Sequence, residues 1–282
     1  MDILVFWNLV AIELEKIVKR PLFLFLLGLF VGLLIFIFLG GLFAFELTGD
    51  PRTKLFFRET LAGTAGGELA LGLAMSLGGL SLLILTAAIA TSEYQWRTLH
   101  LYLSHGVSRT KLLQAKFVAL TAIALSFVLV SLVLGLAFGL PLTIPMEGEI
   151  KIAEFGSLFL RSTRVFLAIL PCIAIAFPIA ILTRSIAITN TVTLLYIFII
   201  EPVLSTAGRI SGEPLSRLTL YLPFQLAQFL VRRSPDNIPE DSMEEFMQIF
   251  VDPNLAAFGL TIWLCILAIA TWLLFRRQDL TS

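Results

Sequence analysis

The sequence predicts an all-α, polytopic membrane protein, and three observations carry that prediction. Apolar residues make up 58% of the 282-residue chain, against roughly 45–50% in an average soluble domain. They gather in six runs of about twenty residues, the length that crosses a hydrocarbon core of roughly 30 Å. Charged residues amount to only 14%, and they cluster between the runs.

The first twenty residues form an element of their own. At about 100° per residue, Ile3, Phe6, Trp7, Val10, Leu14, Ile17 and Val18 are assigned to one helix face. Asn8, Glu13, Glu15, Lys16, Lys19 and Arg20 are assigned to the other. Such a helix suits the headgroup plane, with Trp7 at the interface and basic residues toward lipid phosphates. Pro21 disfavours helix at Arg20 and lacks an N–H, so the chain either turns there or runs straight on into the first span.

Six spans are expected within the transmembrane domain 21–282: residues 21–45, 69–90, 117–140, 165–182, 186–204 and 255–275. The first, 25 residues without a charge, exceeds the roughly 7–15 residues of a signal-peptide core and has no A-x-A-like cleavage site after it. Only Arg184 and Ser185 separate the fourth and fifth spans. These are either a tight antiparallel pair or one long broken element. Six spans put both termini on one side. Lys and Arg divide ten and ten between the two sides, but the ten on the side of the termini occupy shorter segments close to span ends, where the positive-inside bias acts. That side is taken as cytoplasmic.

Outside, residues 205–254 are far longer than the usual helix connection of about 2–8 residues. They hold YLPFQLAQFLVRR (221–233), apolar on one face, and EDSMEEFMQIF (240–250), where Ser242 and Glu245 have capping-box spacing. Short extracellular helices before the last span are expected there.

Several classes of function are excluded. The 20 acidic and 20 basic residues cancel, which leaves no basic stripe for nucleic acid. Cys172 and Cys265 lie in apolar runs, unlike a disulfide framework or zinc site. His100 and His105 lie in a charged loop, so no catalytic set can be assembled in hydrocarbon. The phosphate-cradling pattern GxxxxGK[ST] is absent. No catalytic, cofactor-binding or metal-ligating residue is assigned, and any ATP used must be bound by another chain.

Other features have two readings each. Gly28 and Gly32, Gly72 and Ser76, and Gly135 and Gly139 are small pairs at four-residue spacing; they serve packing within the chain or a seam with a second copy. Pro171 and Pro178 in the fourth span mark a static bend or a hinge. Asn190, Thr193 and Glu201 are the polar residues of the fifth span that could line a translocation path. Asn190 and its threonines alternatively bond neighbouring helices, and Glu201 is near enough to the end of its run to reach headgroups.

The segment 91–116, TSEYQWRTLHLYLSHGVSRTKLLQAK, is too long for a solvated turn. Ser92 and Gln95 have capping-box spacing for a new helix, Gly106 suits a helix stop, and Ser108 suits the cap of the helix that enters the third span. Tyr94, Trp96 and Tyr102 beside mixed charges resemble interface anchors. The segment either docks a soluble partner or packs on the lipid surface.

Here the chain resembles the permease subunits of type 2 ATP-binding-cassette exporters. Glu93, Thr98, Leu99, Leu101, Leu103, Ser108, Arg109 and Lys116 stand in the order of that family's segment after the second span. Arg97 stands where the family usually has glycine, so the local backbone shape is not carried over. EKIVKRP (15–21) resembles the family's elbow helix, and YLPF (221–224) and FRRQDL (275–280) fall where similar stretches do. The resemblance implies a homodimer, or a pair of paralogues, bound to two cytoplasmic ATPase subunits that hold ATP and Mg. It implies that Glu93, Arg97, Thr98, Tyr102, His105, Gly106, Ser108 and Arg109 form the coupling interface. The expected location is a bacterial or archaeal cytoplasmic membrane with both termini cytoplasmic. Long uncharged spans favour export of a lipid, drug or peptide-like amphipath. The competing reading is a membrane scaffold or sensor that recruits a cytoplasmic partner without transport.

Overall fold

A computed structural model describes residues 2–95, 108–146, 154–212, 215–231 and 251–277. All regular structure among them is helical. In chain order the helices are α1 (Asp2–Val18), α2 (Pro21–Leu47), α3 (Pro51–Leu61), α4 (Thr64–Ser92) and α5 (Arg109–Leu142). They continue as α6 (Glu154–Thr183), α7 (Ile186–Ser211), α8 (Leu215–Leu220), α9 (Pro223–Val231) and α10 (Pro253–Arg277). Six of them, α2, α4, α5, α6, α7 and α10, are long and apolar enough to cross a membrane. They outrun the apolar windows read from sequence. In α6, for instance, the helix starts at Glu154, a full three turns before the run at 165.

The chain forms two compact units, and α1, α4, α5 and α6 contribute to both. One comprises Leu14–Ser81 and Ala122–Phe166. Its α2 buries a single stripe, Phe23, Leu26, Phe30, Leu34, Phe38 and Gly41, at the three- and four-residue spacing of one helix face. Phe30 meets Phe127 edge-on with ring centroids 5.3 Å apart, and Phe38 stacks on Phe138 at 5.6 Å. Between Leu47 and α3, Asp50 caps the new helix by accepting from the N–H groups of Arg52 and Thr53 at 3.3 and 3.0 Å. The Thr53 hydroxyl donates to the same carboxylate at 2.6 Å. These bonds hold the Asp50 carboxyl below its usual range, the Thr53 hydroxyl contributing most.

In the same unit α4 and α5 approach to backbone contact. Gly63, at φ 65°, donates its N–H to the Gly139 carbonyl at 2.7 Å. A Cβ on Gly139 would meet the Gly63 carbonyl oxygen at 2.5 Å, and one on Gly135 would meet the Ala70 Cβ at 2.7 Å. The pair Gly135 and Gly139 therefore serves packing within the chain, whereas Cβ atoms on Gly28, Gly32 or Gly72 would meet nothing within 4 Å. Two polar links join α4 to α6: Thr64 donates its hydroxyl to Glu154, and Arg161 pairs with Glu68 at 3.1 Å.

The other unit comprises Met1–Glu13, Leu82–Thr121 and Leu167–Ser282. Its core gathers Leu83, Cys172 and Ala176, with Ile84, Leu194, Ile197 and Phe224 packed against them. Cys172 and Ala176 on α6 meet Leu194 and Ile197 on α7, so these two helices are an antiparallel pair and not one broken element. The turn between them is very tight. Arg184 adopts φ 51°, a left-handed conformation that costs a non-glycine residue about 1–2 kcal/mol. It nevertheless donates its N–H to the Ala180 carbonyl at 2.9 Å, and the Ser185 carbonyl accepts from Thr189 at 3.0 Å, so both helix ends are closed. Helix α6 runs through Pro171 and Pro178 without a break.

Residues 205–254 do not begin with a surface loop. Helix α7 continues to Ser211, Gly212 turns at φ 74°, and α8 returns alongside. A Cβ on Gly208 would collide with Thr219 at 2.5 Å. After it, α9 packs on α10: Leu226 fills the space over Gly259, and the Trp263 Nε1–H donates to the Tyr221 carbonyl at 2.8 Å. The expected cap at Ser242 and Glu245 lies outside the described residues.

Candidate functional site

The polar residues expected to line a path fall into a clear pattern on α7. Its buried residues are Thr189, Thr193, Glu201, Ser205 and Gly208. Most of its apolar residues point the other way: Ile188, Val192, Leu195, Phe198, Ile199, Val203 and Leu204 are all exposed. In water this helix would be inside out; beside hydrocarbon the arrangement is the stable one, because polar side chains there turn inward.

A π-helical turn, Tyr196–Ile200, makes the stripe possible. Without it, the eight-residue step from Thr193 to Glu201 would rotate the carboxylate by about 80°; one extra residue reduces that to about 20°. Glu201 is 1% exposed and accepts from the Gln225 N–H at 2.8 Å. Gln225 is the third residue of α9, one of the positions whose N–H has no partner within its own helix. The Phe224 N–H and the Tyr196 hydroxyl lie beside the same carboxylate, and the Tyr196 and Phe224 rings are 6.4 Å apart. Glu201 thus caps a helix from another segment, where the helix dipole favours negative charge. Its Oε2 is buried without a hydrogen bond of ordinary geometry. This burial corrects the expectation that Glu201 reaches headgroups.

The threonine hydroxyls bond within α7, and one also reaches the neighbouring α6. Thr193 donates to the Thr189 carbonyl at 2.8 Å, and Thr189 donates to the Ser185 carbonyl at 2.7 Å. Across the Arg184 turn, the Thr183 and Thr189 hydroxyl oxygens are 2.8 Å apart. Asn190 is half-buried, with Oδ1 buried and unpartnered.

The second group surrounds the segment between α4 and α5. Arg97, Thr98, Tyr102, His105 and Gly106 lie outside the described residues. Helical backbone continues past α4 to Gln95 and so includes Glu93; Arg109 begins α5. The side chains of Glu93 and Arg109 lie outside the described residues. Ser108 is exposed and stands before α5 as expected of a cap, its Oγ 3.4 Å from the Lys111 N–H. Ser92 does not start a new helix. It sits within the continuing helix, buried, with its hydroxyl bonded back to the Ile89 carbonyl at 3.0 Å, an alternative that serine always has to capping.

Two further residues belong to this group, and one was misplaced by the helical wheel. Glu13, assigned to the polar face of α1, is 2% exposed and shares the buried stripe with Leu9, Val10 and Ile17. At 100° per residue it lies only about 40° from Ile17, which the wheel already contains. Val5, Trp7, Ile12 and Val18 are the exposed apolar residues of α1. The Lys116 ammonium lies 3.4 Å from Glu13 Oε2 and donates to the Ile89 carbonyl at 3.4 Å. One lysine therefore joins three segments: α1, the end of α4 and the start of α5. At the other end of α1, Lys19 still donates its N–H to the Glu15 carbonyl at 3.0 Å, and Arg20 then adopts ψ 132° before Pro21, so the helix does not run on into α2.

A family model described as ABC-2 family transporter protein matches residues 7–280. No curated protein matches the chain.

Proposed function

The chain belongs to the ABC-2 transporter family and is a membrane permease component of an ATP-binding-cassette transporter; on that premise we propose that it exports an amphipathic or hydrophobic substrate, of lipid, drug or peptide-like chemistry. The energy comes from ATP hydrolysed, with Mg, on separate cytoplasmic ATPase subunits. Two of these bind a pair of permeases, either identical or paralogous, in a bacterial or archaeal cytoplasmic membrane with both termini inside. The segment 91–116 is the element the ATPases grip, through Glu93, Arg97, Thr98, Tyr102, His105, Gly106, Ser108 and Arg109. Asn190, Thr193 and Glu201 lie along the route of the substrate.

The observation that carries this reading is the bond from Lys116 to the Ile89 carbonyl. It pins together the two helices from which the gripped segment hangs, so a push on the segment moves α4 and α5 as one piece. The inward-facing polar stripe of α7 supports the route.

Co-expression with an ATPase encoded beside this chain tests the reading. The two should co-purify, and Glu93→Lys or Arg109→Glu should each weaken binding at least tenfold and lower ATP turnover in vesicles. Unchanged binding and turnover in both variants would overturn it.

A further inference from the structure

The Glu13–Lys116 pair is placed where a merely stabilising contact is hard to justify. Both side chains are nearly sealed from solvent, at 2% and 6% exposure. Two charges withdrawn from water cost more than a well-packed apolar pair in the same volume, so such pairs are weak contributors to stability and better suited to fixing one arrangement. This one fixes α1 to the point where α4 and α5 converge. Lys116 lies two turns inside α5, counted from its first residue Arg109, and Ile89 lies about two turns before the helical backbone after α4 ends at Gln95. The rest of the buried stripe of α1, Leu9, Val10 and Ile17, is apolar and would tolerate sliding. Glu13 gives that face a directional bond.

We propose that Glu13 is a positioning residue for energy coupling: its ion pair with Lys116 makes α1 part of the lever, so nucleotide-driven movement of segment 91–116 carries α1 with it. The inference rests on the permease reading above. It adds that the membrane-surface helix is a driven part and not a passive float. Nucleotide state is then communicated to residues 2–13 through one buried pair. Trp7, exposed on the same helix, moves relative to the lipid surface as the ATPases close.

The test uses the complex of permease and ATPase in vesicles, with Cys172→Ala and Cys265→Ser as background. A single cysteine replaces Asn8 on α1 or Ser108 before α5; both positions are exposed. Labelling rates by a water-soluble maleimide are compared without nucleotide and after trapping with ATP and vanadate. Both positions should change rate at least threefold on trapping. With Glu13→Gln or Lys116→Gln, the response at residue 8 should vanish while that at residue 108 persists. If residue 108 responds in the parent and residue 8 does not, the inference fails and the permease reading stands. The inference fails equally if residue 8 still responds in both variants. If neither position responds in the parent, the coupling reading itself fails. Should a variant not assemble, the comparison of the two positions in the parent still decides.

Discussion

The Glu201 carboxylate accepts the Gln225 N–H at 2.8 Å across 24 residues of sequence, and this bond fastens the return of the chain after α7. A hydrogen bond to a charged group contributes about 1.5–3 kcal/mol. Glu201→Ala should therefore loosen α9, seen as faster trypsin cleavage after Arg232 or Arg233, while Glu201→Gln, which keeps an acceptor, should cost less. Equal cleavage rates in all three forms would show that the carboxylate does not hold α9.

The glycine contact makes a sharper prediction. Gly139→Val places side-chain carbon inside the Gly63 carbonyl contact, and overpacking of that kind costs about 1–3 kcal/mol or more. Detergent-solubilised protein should lose thermal stability and yield. Gly28→Ala and Gly32→Ala, with open space around them, should leave the melting temperature unchanged.

Removing one member of the buried pair should be worse than removing both. Lys116→Met removes the cation beside a buried carboxylate, a loss of about 3–5 kcal/mol. The double variant Glu13→Leu with Lys116→Met should recover much of that stability. A double-mutant cycle on melting temperatures reads the coupling directly, and additive effects would contradict the pairing.

At Asp50 the prediction concerns pH. Its folded-state carboxyl is held low by Thr53 and Arg52, so the cap contributes at neutral pH and disappears as pH falls through that lowered value. In the unfolded chain the same group already binds its proton near the ordinary carboxylate value of about 3.9. An NMR titration should find the Asp50 midpoint below that value, and Thr53→Val should move it back up.

Sidedness is open to a labelling measurement. A cysteine at Ser104 should resist a membrane-impermeant reagent added to intact cells, and one at Gly49 should react. The opposite pattern would invert the assignment of the termini.

Most of the fold was legible because hydrocarbon imposes one dominant signal: twenty apolar residues must be a helix. Pro21 and Ser108 marked helix starts for local reasons that needed no tertiary knowledge. What escaped was set by neighbours. The first turns of α6 carry Glu154 and Arg161, whose partners Thr64 and Glu68 are about 90 residues away, so no local window includes them. Ser92 had the spacing of a cap but also a carbonyl within reach, and only the continuing helix decides between them. Glu201 looked close to the surface because its distance from the end of the apolar run was measured, whereas the helix itself runs ten residues further to Ser211. Glu13 was legible and was lost by grouping it with its charge and not its angle.

The wider turn at Tyr196–Ile200 sets the phase of everything beyond it. Shortening the chain by one amino acid there would leave ordinary helix, seven steps from Thr193 to the acid, and keep its bearing near 20°, whereas lengthening it by one would swing the acid by about 100° toward the acyl chains and unseat α9. Gain of a single codon in that window would therefore injure the protein more than its loss.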